Sequence, residues 1–346
     1  MGGLSRPRLL EILGSLKGLR VMVIGDFALD AYWYVDMLHS ELSRETPRFT
    51  HPITRETYSP GASGNICWNV KDIGVKEVLG VTVIGEDWRG KILQEELRKK
   101  GICLDYMVTS PKRVTPTYVK PILCGIDSQQ EDSRLDFINY NPLPNASEEQ
   151  LIRNIRLAVP KADAVIVEDQ MVENAVVTDN VRENLIQLAE ANPKKVFVAD
   201  SRTRVGLFRN MVLKPNRVEA VKAIDPSKNP QAIEMQELGR IGGELQKRAK
   251  RPIYITLSEK GALLITESIL KHLLAAPTKP PIDPVGAGDT FISALATTLA
   301  GGASPVEAGV VATLAAGVIL KKLNITGTAS PQEILTKFDE TSKAEE

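Results

Sequence analysis

One stretch of the chain, residues 282–299, combines residue types that suit phosphate chemistry; it reads IDPVGAGDTFISALATTL. Its glycines lack side chains, so the backbone can turn tightly and bring bare N–H groups close to a ligand. The run from residue 290 onward is mostly small and apolar, which favours a buried helix directly after the turn. We therefore expect a phosphate to meet the N–H groups of Gly286, Ala287 and Gly288 at the positive end of a helix dipole.

Asp289 follows this glycine turn directly. A carboxylate beside a bound phosphate is repelled by it, which does not suit simple phosphate binding. It suits phosphoryl transfer, in which Asp289 accepts the proton of an attacking hydroxyl while the turn stabilises charge on the transferred group. The alternative is a structural turn, because glycine-rich turns often precede helices and aspartate is an ordinary N-cap residue.

Two familiar types of nucleotide loop are absent from the sequence. No G-x-x-x-x-G-K-[ST] segment occurs, and Gly286 and Gly288 lack the third glycine of a dinucleotide-binding fingerprint. The turn therefore belongs to another class of phosphate site.

The segment DPVGAGDTF resembles the signature of the ribokinase-type (PfkB) carbohydrate kinases. In that family the aspartate is the general base and the preceding backbone amides form an anion hole for the γ-phosphate of ATP. The resemblance implies these roles for Asp289 and for the turn residues Gly286, Ala287 and Gly288.

Further matching segments extend this resemblance over residues 21–328. It implies an α/β fold, a ribokinase-like three-layer sandwich with a mostly parallel central sheet and a small β lid. Residues 1–346 are then expected to form a single kinase domain, with lid segments inserted at about 34–58 and 114–138. The family also implies a homodimer formed through the lid.

Two segments resemble the sugar-binding parts of one branch of the family, the heptose-7-phosphate kinase domains of bifunctional ADP-heptose synthases. GDFALDAYWY is similar to GD-x-x-LD-x-YWY, which implies that Asp30 binds sugar hydroxyls; a carboxylate can accept two hydrogen bonds. PGASGNICWNVKDIG resembles PGGAANVAxNIAxLG, which implies sugar contacts for Gly61 and Asn65. We expect Asn69 instead to satisfy buried backbone groups.

The lid segment carries two cations that suit a phosphorylated sugar. TPTYVK, ending at Lys120, and SQQEDSRLDF, containing Arg134, resemble the heptose-kinase stretch in which TKxR is followed by a loop ending RLDF. A phosphate already on the acceptor needs a cation outside the γ-phosphate site, and either residue can supply it. The alternative is a solvated lid residue. Ile122 stands where the arginine is usual, which leaves the identity of the sugar open.

The segment KPNRVE resembles the N-x-x-E motif of the family. Asn216 and Glu219 lie one helical turn apart, so both can face one point. The resemblance implies that they organise the Mg²⁺ shell and the nucleotide phosphates, with Glu219 as the metal residue. The alternative is a capping pair at a helix N-terminus, which has the same spacing.

A turn at residues 256–261 resembles the T-x-G/S-x-x-G turn that passes beneath the nucleotide in this family. Thr256, Ser258 and Gly261 are therefore predicted to bind ATP. The alternative is a simple hairpin into the strand at 262–266.

The elements needed to position these residues are visible in the hydrophobic pattern. From residue 147 helices and apolar strands alternate, which predicts βαβ units in a parallel sheet covered by helices. Acidic residues after successive strands, including Glu168 and Asp200, are then expected at the carboxyl edge of that sheet. Helices are predicted at 7–17, in the later part of 60–74, from the turn at 85–87 to about 100, and at 147–158, 175–191, 230–250, 290–299 and 305–323. Strands are predicted at 20–24, 78–84, 164–167, 196–199, 211–214, 253–257 and 262–266.

The composition is that of an average globular protein of 346 residues, with 43 basic and 43 acidic side chains. This balance favours neither a nucleic-acid partner nor an anionic membrane surface. The apolar run at 310–320 is too short to span a bilayer. Three widely spaced cysteines, Cys67, Cys103 and Cys124, favour a reduced, cytoplasmic protein.

The sequence thus predicts phosphorylation of a sugar or sugar phosphate by ATP and Mg²⁺. The resemblance is closest to heptose-7-phosphate kinases, which act at the anomeric hydroxyl. Two alternatives stay open: the same chemistry on another sugar, a nucleoside or a related alcohol, and a sugar- or nucleotide-binding regulator without turnover.

Overall fold

The computed structural model describes residues 3–322 and 327–345. Fifteen strands lie within these residues: β1 Arg20–Gly25, β2 Phe27–Asp36, β3 Ile53–Ala62, β4 Glu77–Val81, β5 Val83–Gly85, β6 Val108–Ser110, β7 Thr117–Cys124, β8 Gln129–Glu131, β9 Leu135–Phe137, β10 Ala164–Asp169, β11 Val196–Ser201, β12 Val212–Leu213, β13 Ile253–Thr256, β14 Ala262–Ile265 and β15 Leu270–Leu273.

Ten α-helices lie in the same part of the chain: α1 Arg6–Ser15, α2 Ser63–Asp72, α3 Trp88–Lys99, α4 Asn145–Ala158, α5 Asp179–Ala191, α6 Arg217–Ile224, α7 Met235–Ala249, α8 Ala287–Ala300, α9 Pro305–Ile319 and α10 Pro331–Glu345. None of them is long and apolar enough to cross a membrane.

Eight strands form the central sheet, in the order β15-β14-β13-β12-β11-β10-β1-β4. The six strands β13, β12, β11, β10, β1 and β4 are parallel to one another. Strands β14 and β15 extend the sheet at the β13 edge, each antiparallel to its neighbour. Successive side chains of β1 enter two separate cores: Val21 and Val23 pack with α2, α8 and α9, whereas Met22 and Ile24 pack with α4, α5 and α7. A parallel sheet buried on both faces gives the predicted three layers.

Most predicted elements occur within a few residues of their expected bounds. Helix α5 begins later than expected, at Asp179, because the side chain of Thr178 caps it by accepting the N–H of Val181. The hydrophobic pattern did not indicate α10, whose Ile334 and Phe338 are buried against the first core. The last residue of the helix predicted at 305–323, Leu323, lies outside the described residues.

Gly25 is the point at which the chain leaves the central sheet. Its φ is +148°, and a β-carbon there would lie 1.9 Å from the carbonyl oxygen of Glu168. Only glycine tolerates this approach, so β1 can end against β10 and the chain can start a second sheet at once. The next residue, Asp26, fixes the corner by accepting the N–H groups of Met171 (2.8 Å) and Val176 (2.7 Å).

The second sheet, called the small sheet below, has the order β3-β2-β7-β8, with β9 also paired to β7. It starts at Phe27, earlier than the expected lid segment at 34–58, because β2 follows the Gly25 corner directly. Residues 37–52 lie outside its strands and carry one isolated pair, Leu42 with Phe49.

Candidate active site

Several of the predicted site residues lie at the carboxyl edge of the central sheet. The ends of β1, β10, β11 and β12 lie there, because parallel strands present the same end at one edge. The N-terminus of α8 reaches this edge as well, since α8 packs against β10 and β11. Polar residues from distant segments are thereby brought to one edge of the sheet.

The glycine turn before α8 has the geometry expected of an anion site, with one difference. Gly286 is the N-cap of α8 and adopts a left-handed conformation with φ +79°. Within the described residues the N–H groups of Gly286 and Gly288 have no hydrogen-bond acceptor, so they are open to a ligand. The N–H of Ala287 instead donates to the carbonyl oxygen of Pro284 at 3.1 Å, because this bond closes the turn.

Asp289 lies in the first turn of α8 and is held by a chain of hydrogen bonds. Asn65 donates from Nδ2 to Oδ2 of Asp289 at 2.6 Å. Asn69 in turn donates to Oδ1 of Asn65 at 3.2 Å, and the hydroxyl of Thr290 donates to Asn69 at 2.7 Å. Helices α2 and α8 therefore fix the orientation of the Asp289 carboxyl. Asn69 also donates to the backbone oxygen of Asn65, the role expected for it.

The environment of Asp289 suits a proton acceptor. Burial raises the pKa of Asp289 to about 6, although the hydrogen bond from Asn65 and the charge of Lys214 act in the opposite direction. A carboxyl with this pKa is ionised at neutral pH and is more basic than an exposed aspartate.

Lys214 lies near Gly288 of the turn, and the carboxyl groups of Asp200, Glu168 and Glu219 surround it. Lys214 follows β12, is almost fully buried and pairs with Asp200. Burial raises the pKa of Glu168 well above its ordinary value, and the charge of Asp200 adds to this effect. The same neighbouring carboxylates keep Lys214 charged, so its pKa is raised even though burial alone would lower it.

Asp30 and Gly61 meet on adjacent strands of the small sheet, β2 and β3. A β-carbon on Gly61 would lie 2.9 Å from Oδ2 of Asp30, so the glycine makes room for this carboxyl. Burial raises the pKa of Asp30, and Lys120, whose Nζ lies 3.9 Å from its Oδ1, opposes this shift. Lys120 also donates to the hydroxyl of Tyr32 at 3.2 Å. The two predicted sugar residues thus lie together with one predicted phosphate residue.

Arg134, the other predicted phosphate residue, is held differently. Its guanidinium donates two hydrogen bonds of 2.7 Å to the carboxylate of Asp136 and lies 4.6 Å from the centre of the Tyr118 ring. Its side chain is 49% exposed, against 15% for Lys120. Lys120 is therefore the more enclosed of the two cations.

A cavity of about 610 Å³ opens beside the glycine turn. The three residues predicted to bind nucleotide, Thr256, Ser258 and Gly261, line it together with Gly288 and Phe291. Its remaining walls are mostly small apolar residues from the segment before the turn and from α9. One cavity therefore contacts all three residues predicted to bind nucleotide as well as Gly288 of the glycine turn.

Asn216 and Glu219 form a capping box at the start of α6. Glu219 accepts the N–H of Asn216 at 2.7 Å, and Asn216 accepts the N–H of Glu219 at 2.9 Å. Burial, followed by the charge of Asp200, raises the pKa of Glu219 to about 7. Among the residues described, no group of three or more His, Cys, Asp or Glu side chains is arranged to hold a metal. Mg²⁺ commonly binds through one or two carboxylates plus substrate phosphates, and Glu219 fits that limited role.

The sequence reasoning missed the position of Lys214. It is the first residue of the KPNRVE segment, and no spacing rule connects it with a glycine turn more than 70 residues later. The available signal is its place at the end of the strand predicted at 211–214, because residues at strand ends face the ligand edge.

Comparison with known proteins shows the family to which the chain belongs. A family model described as pfkB family carbohydrate kinase matches residues 19–332. The chain belongs to this family. Membership confirms the predicted class of enzyme, an ATP-dependent carbohydrate kinase, and the predicted resemblance to PfkB proteins.

Curated relatives within the pfkB family include the bifunctional protein HldE of several bacteria. The Chromohalobacter salexigens protein is 31% identical over 329 residues, which cover 94% of this chain and 64% of that protein. The Nitratiruptor protein is 30% identical over 318 residues, which cover 91% of this chain and 64% of that protein. The chain thus spans just under two thirds of the length of these relatives.

Solved structures of the same fold include two sugar kinases. Arabidopsis thaliana ribokinase, complexed with ribose and ATP, matches with a TM-score of 0.64 and 19% identity, covering 92% of this chain and 98% of that one. Escherichia coli phosphofructokinase-2 in complex with fructose-6-phosphate matches with a TM-score of 0.67 and 15% identity, covering 94% and 99%. They confirm the predicted ribokinase-like fold.

Proposed function

We propose that this pfkB-family protein transfers the γ-phosphate of ATP to a sugar phosphate, as a heptose-7-phosphate kinase-like enzyme acting at the anomeric hydroxyl. The observation that carries the proposal is the Asp289 carboxyl, oriented by Asn65 and adjacent to the open amides of Gly286 and Gly288. The similarity to HldE proteins and the enclosed Lys120 support a phosphorylated acceptor.

In this proposal the residues divide the work as follows. Asp30 accepts hydrogen bonds from sugar hydroxyls, and Lys120 binds the phosphate already on the sugar. Asp289 removes the proton from the attacking hydroxyl, while the free amides of the glycine turn stabilise charge on the transferred group. Asn65 acts through Asp289, because its amide is already used to orient that carboxyl.

The nucleotide and metal complete the site. Thr256, Ser258 and Gly261 would hold the nucleotide, with Asn216 and Glu219 near its phosphates and the metal. When bound, Mg²⁺ neutralises part of the negative charge of the phosphates. The small sheet would act as a lid that excludes water and so suppresses hydrolysis of ATP.

A panel of acceptors tests the proposal. Purified protein is incubated with ATP, Mg²⁺ and either a nucleoside or a sugar of five to seven carbons, each sugar with and without a terminal phosphate, and ³¹P NMR identifies the product. We expect an anomeric phosphate to form fastest on a seven-carbon sugar phosphate. Faster turnover of an unphosphorylated sugar or a nucleoside would contradict the proposed acceptor and identify another one. No turnover of any acceptor would contradict the proposed kinase activity.

The rate should depend on pH through Asp289. Because burial raises the pKa of this carboxyl to about 6, it is mostly charged above that pH and becomes protonated below it. We expect kcat/KM for the acceptor to be level near neutral pH and to fall about tenfold per pH unit below pH 6. Initial rates between about pH 5 and pH 8 provide the measurement. A level profile down to pH 5 would remove Asp289 as the titrating base.

Lys120 and Arg134 should differ in their effect on the acceptor. We expect Lys120→Met to raise KM for the sugar phosphate about tenfold, because the enclosed ammonium is little screened by solvent. The matched variant Arg134→Met should change KM less than about threefold, because Arg134 is half exposed and already paired with Asp136. The same sugar without phosphate should respond to neither variant. An equal loss on both sugars would mean that Lys120 binds a hydroxyl instead.

We also propose a homodimer formed through the small sheet and a cytoplasmic location. Apolar side chains in the segment between β2 and β3 are exposed, among them Leu38 and Phe49 at 64% each. Light scattering should give twice the 37.9 kDa mass of one chain. The free state of all three cysteines suits a reducing compartment, which cell fractionation tests.

A further inference from the structure

Lys214 places a buried positive charge beside the glycine turn. A β-carbon on Gly288 would lie 3.7 Å from Nζ of Lys214, so the ammonium is next to one of the two open amides. Lys214 is 4% exposed and follows β12, whereas the turn lies at the start of α8. Two separate elements therefore bring a cation and a free N–H group to one point.

Neighbouring carboxyl groups keep the Lys214 side chain positively charged. It pairs with Asp200, and the charges of Glu168 and Glu219 also act on it. An ammonium has three donors, and Asp200 is the acceptor that the structure shows for them within the described residues. Donors are thus left for a ligand.

A phosphate needs a cation at this position. Asp289 and Asp200 lie near the turn, and an anionic ligand there would be repelled by their charges. Backbone amides carry only partial charges, whereas a buried ammonium carries a full charge that solvent screens little.

We propose that Lys214 contacts the γ-phosphoryl group of the bound nucleotide and, with the amides of Gly286 and Gly288, forms the anion site of the transfer. This inference rests on the proposed function and adds a residue to its machinery. During transfer the bond between the γ-phosphorus and the oxygen of ADP breaks, and that oxygen keeps the electron pair. The sugar oxygen forms the new bond to phosphorus, its proton passes to Asp289, and Lys214 keeps its own proton throughout.

Nucleotide binding tests the contact independently of turnover. Calorimetry with Mg²⁺ compares ADP with the β,γ-imido analogue of ATP, which differ in the γ-phosphoryl group. For Lys214→Met we expect the affinity for the analogue to fall about 10- to 100-fold, because a charge-assisted hydrogen bond is lost. The affinity for ADP should change less than about threefold. Lys214→Arg, which keeps the charge, should recover part of the loss.

Two further variants make the result decisive. Lys214→Met leaves Asp200 without its cation, so the double variant with Asp200→Asn restores local neutrality, and it should show the same selective loss if the single variant fails to fold. Lys228→Met removes a lysine paired with Glu237 on another part of the surface and should affect neither ligand. Equal losses for ADP and the analogue, or no loss for either, would overturn the inference. A wild-type protein that binds both nucleotides but phosphorylates no sugar would refute the proposed function and leave the Lys214 result standing.

Discussion

Replacing Asp289 by asparagine is expected to lower kcat about 10²- to 10⁴-fold, the range that general-base catalysis commonly contributes. The amide has nearly the same shape as the carboxyl but cannot accept the proton of the attacking hydroxyl. Its oxygen can still accept the hydrogen bond from Asn65, so the link between α2 and α8 should be kept. Steady-state rates with saturating acceptor and nucleotide provide the measurement.

The controls for this variant separate chemistry from folding. Nucleotide affinity and melting temperature should stay close to those of the wild type, because the amide preserves the packing of α8. Asp179→Asn, which changes an aspartate with a 91% exposed side chain at the start of α5, should leave kcat unchanged. Full activity of the Asp289→Asn variant would show that Asp289 is not the general base.

Asp30→Asn should lower kcat/KM for the acceptor about 10- to 150-fold, with KM for ATP unchanged. A hydrogen bond to a charged group contributes about 1.5–3 kcal/mol, and the variant loses the charge that strengthens the bonds to sugar hydroxyls. It also deprives Lys120 of its nearby carboxylate. Initial rates over a range of acceptor concentrations provide the measurement.

A matched variant in the same region serves as the control for Asp30. Asp132 carries a 41% exposed carboxylate beside the small sheet, and Asp132→Asn should leave kcat/KM within about threefold of the wild type. If Asp30→Asn raised KM for ATP instead of the acceptor, the small sheet would be covering the nucleotide and not the sugar.

Local patterns were sufficient to predict much of the fold. The run of residues in β1 is apolar on both faces, so it predicted a buried parallel strand, and the structure packs its alternate side chains into two cores. The N-cap of α3 is also a local feature, because the side chain of Asp87 accepts the N–H of Gly90, three residues later, at 2.8 Å. Such features depend on residues a few positions apart, and the covalent backbone between them limits the conformations they can adopt.

The remaining features depend on contacts between distant segments. Asn65 lies 224 residues before the carboxyl that it orients, and no local spacing indicates that pair. The start of the small sheet at Phe27 follows from how closely Gly25 approaches Glu168. The capping box of Asn216 and Glu219 also shows that one spacing can fulfil a structural role and still present a carboxyl at the site edge.

The sequence by itself determined the glycine turn, the acid that follows it, the alternation of strands and helices, and through them the family. Only the tertiary structure decided which amides of the turn are open, which side chain orients Asp289, and that Lys214 lies beside Gly288. The physical reason is that turns and helix ends are set by short-range sterics and hydrogen bonding. The burial and pairing of a charge depend instead on every segment that packs around it.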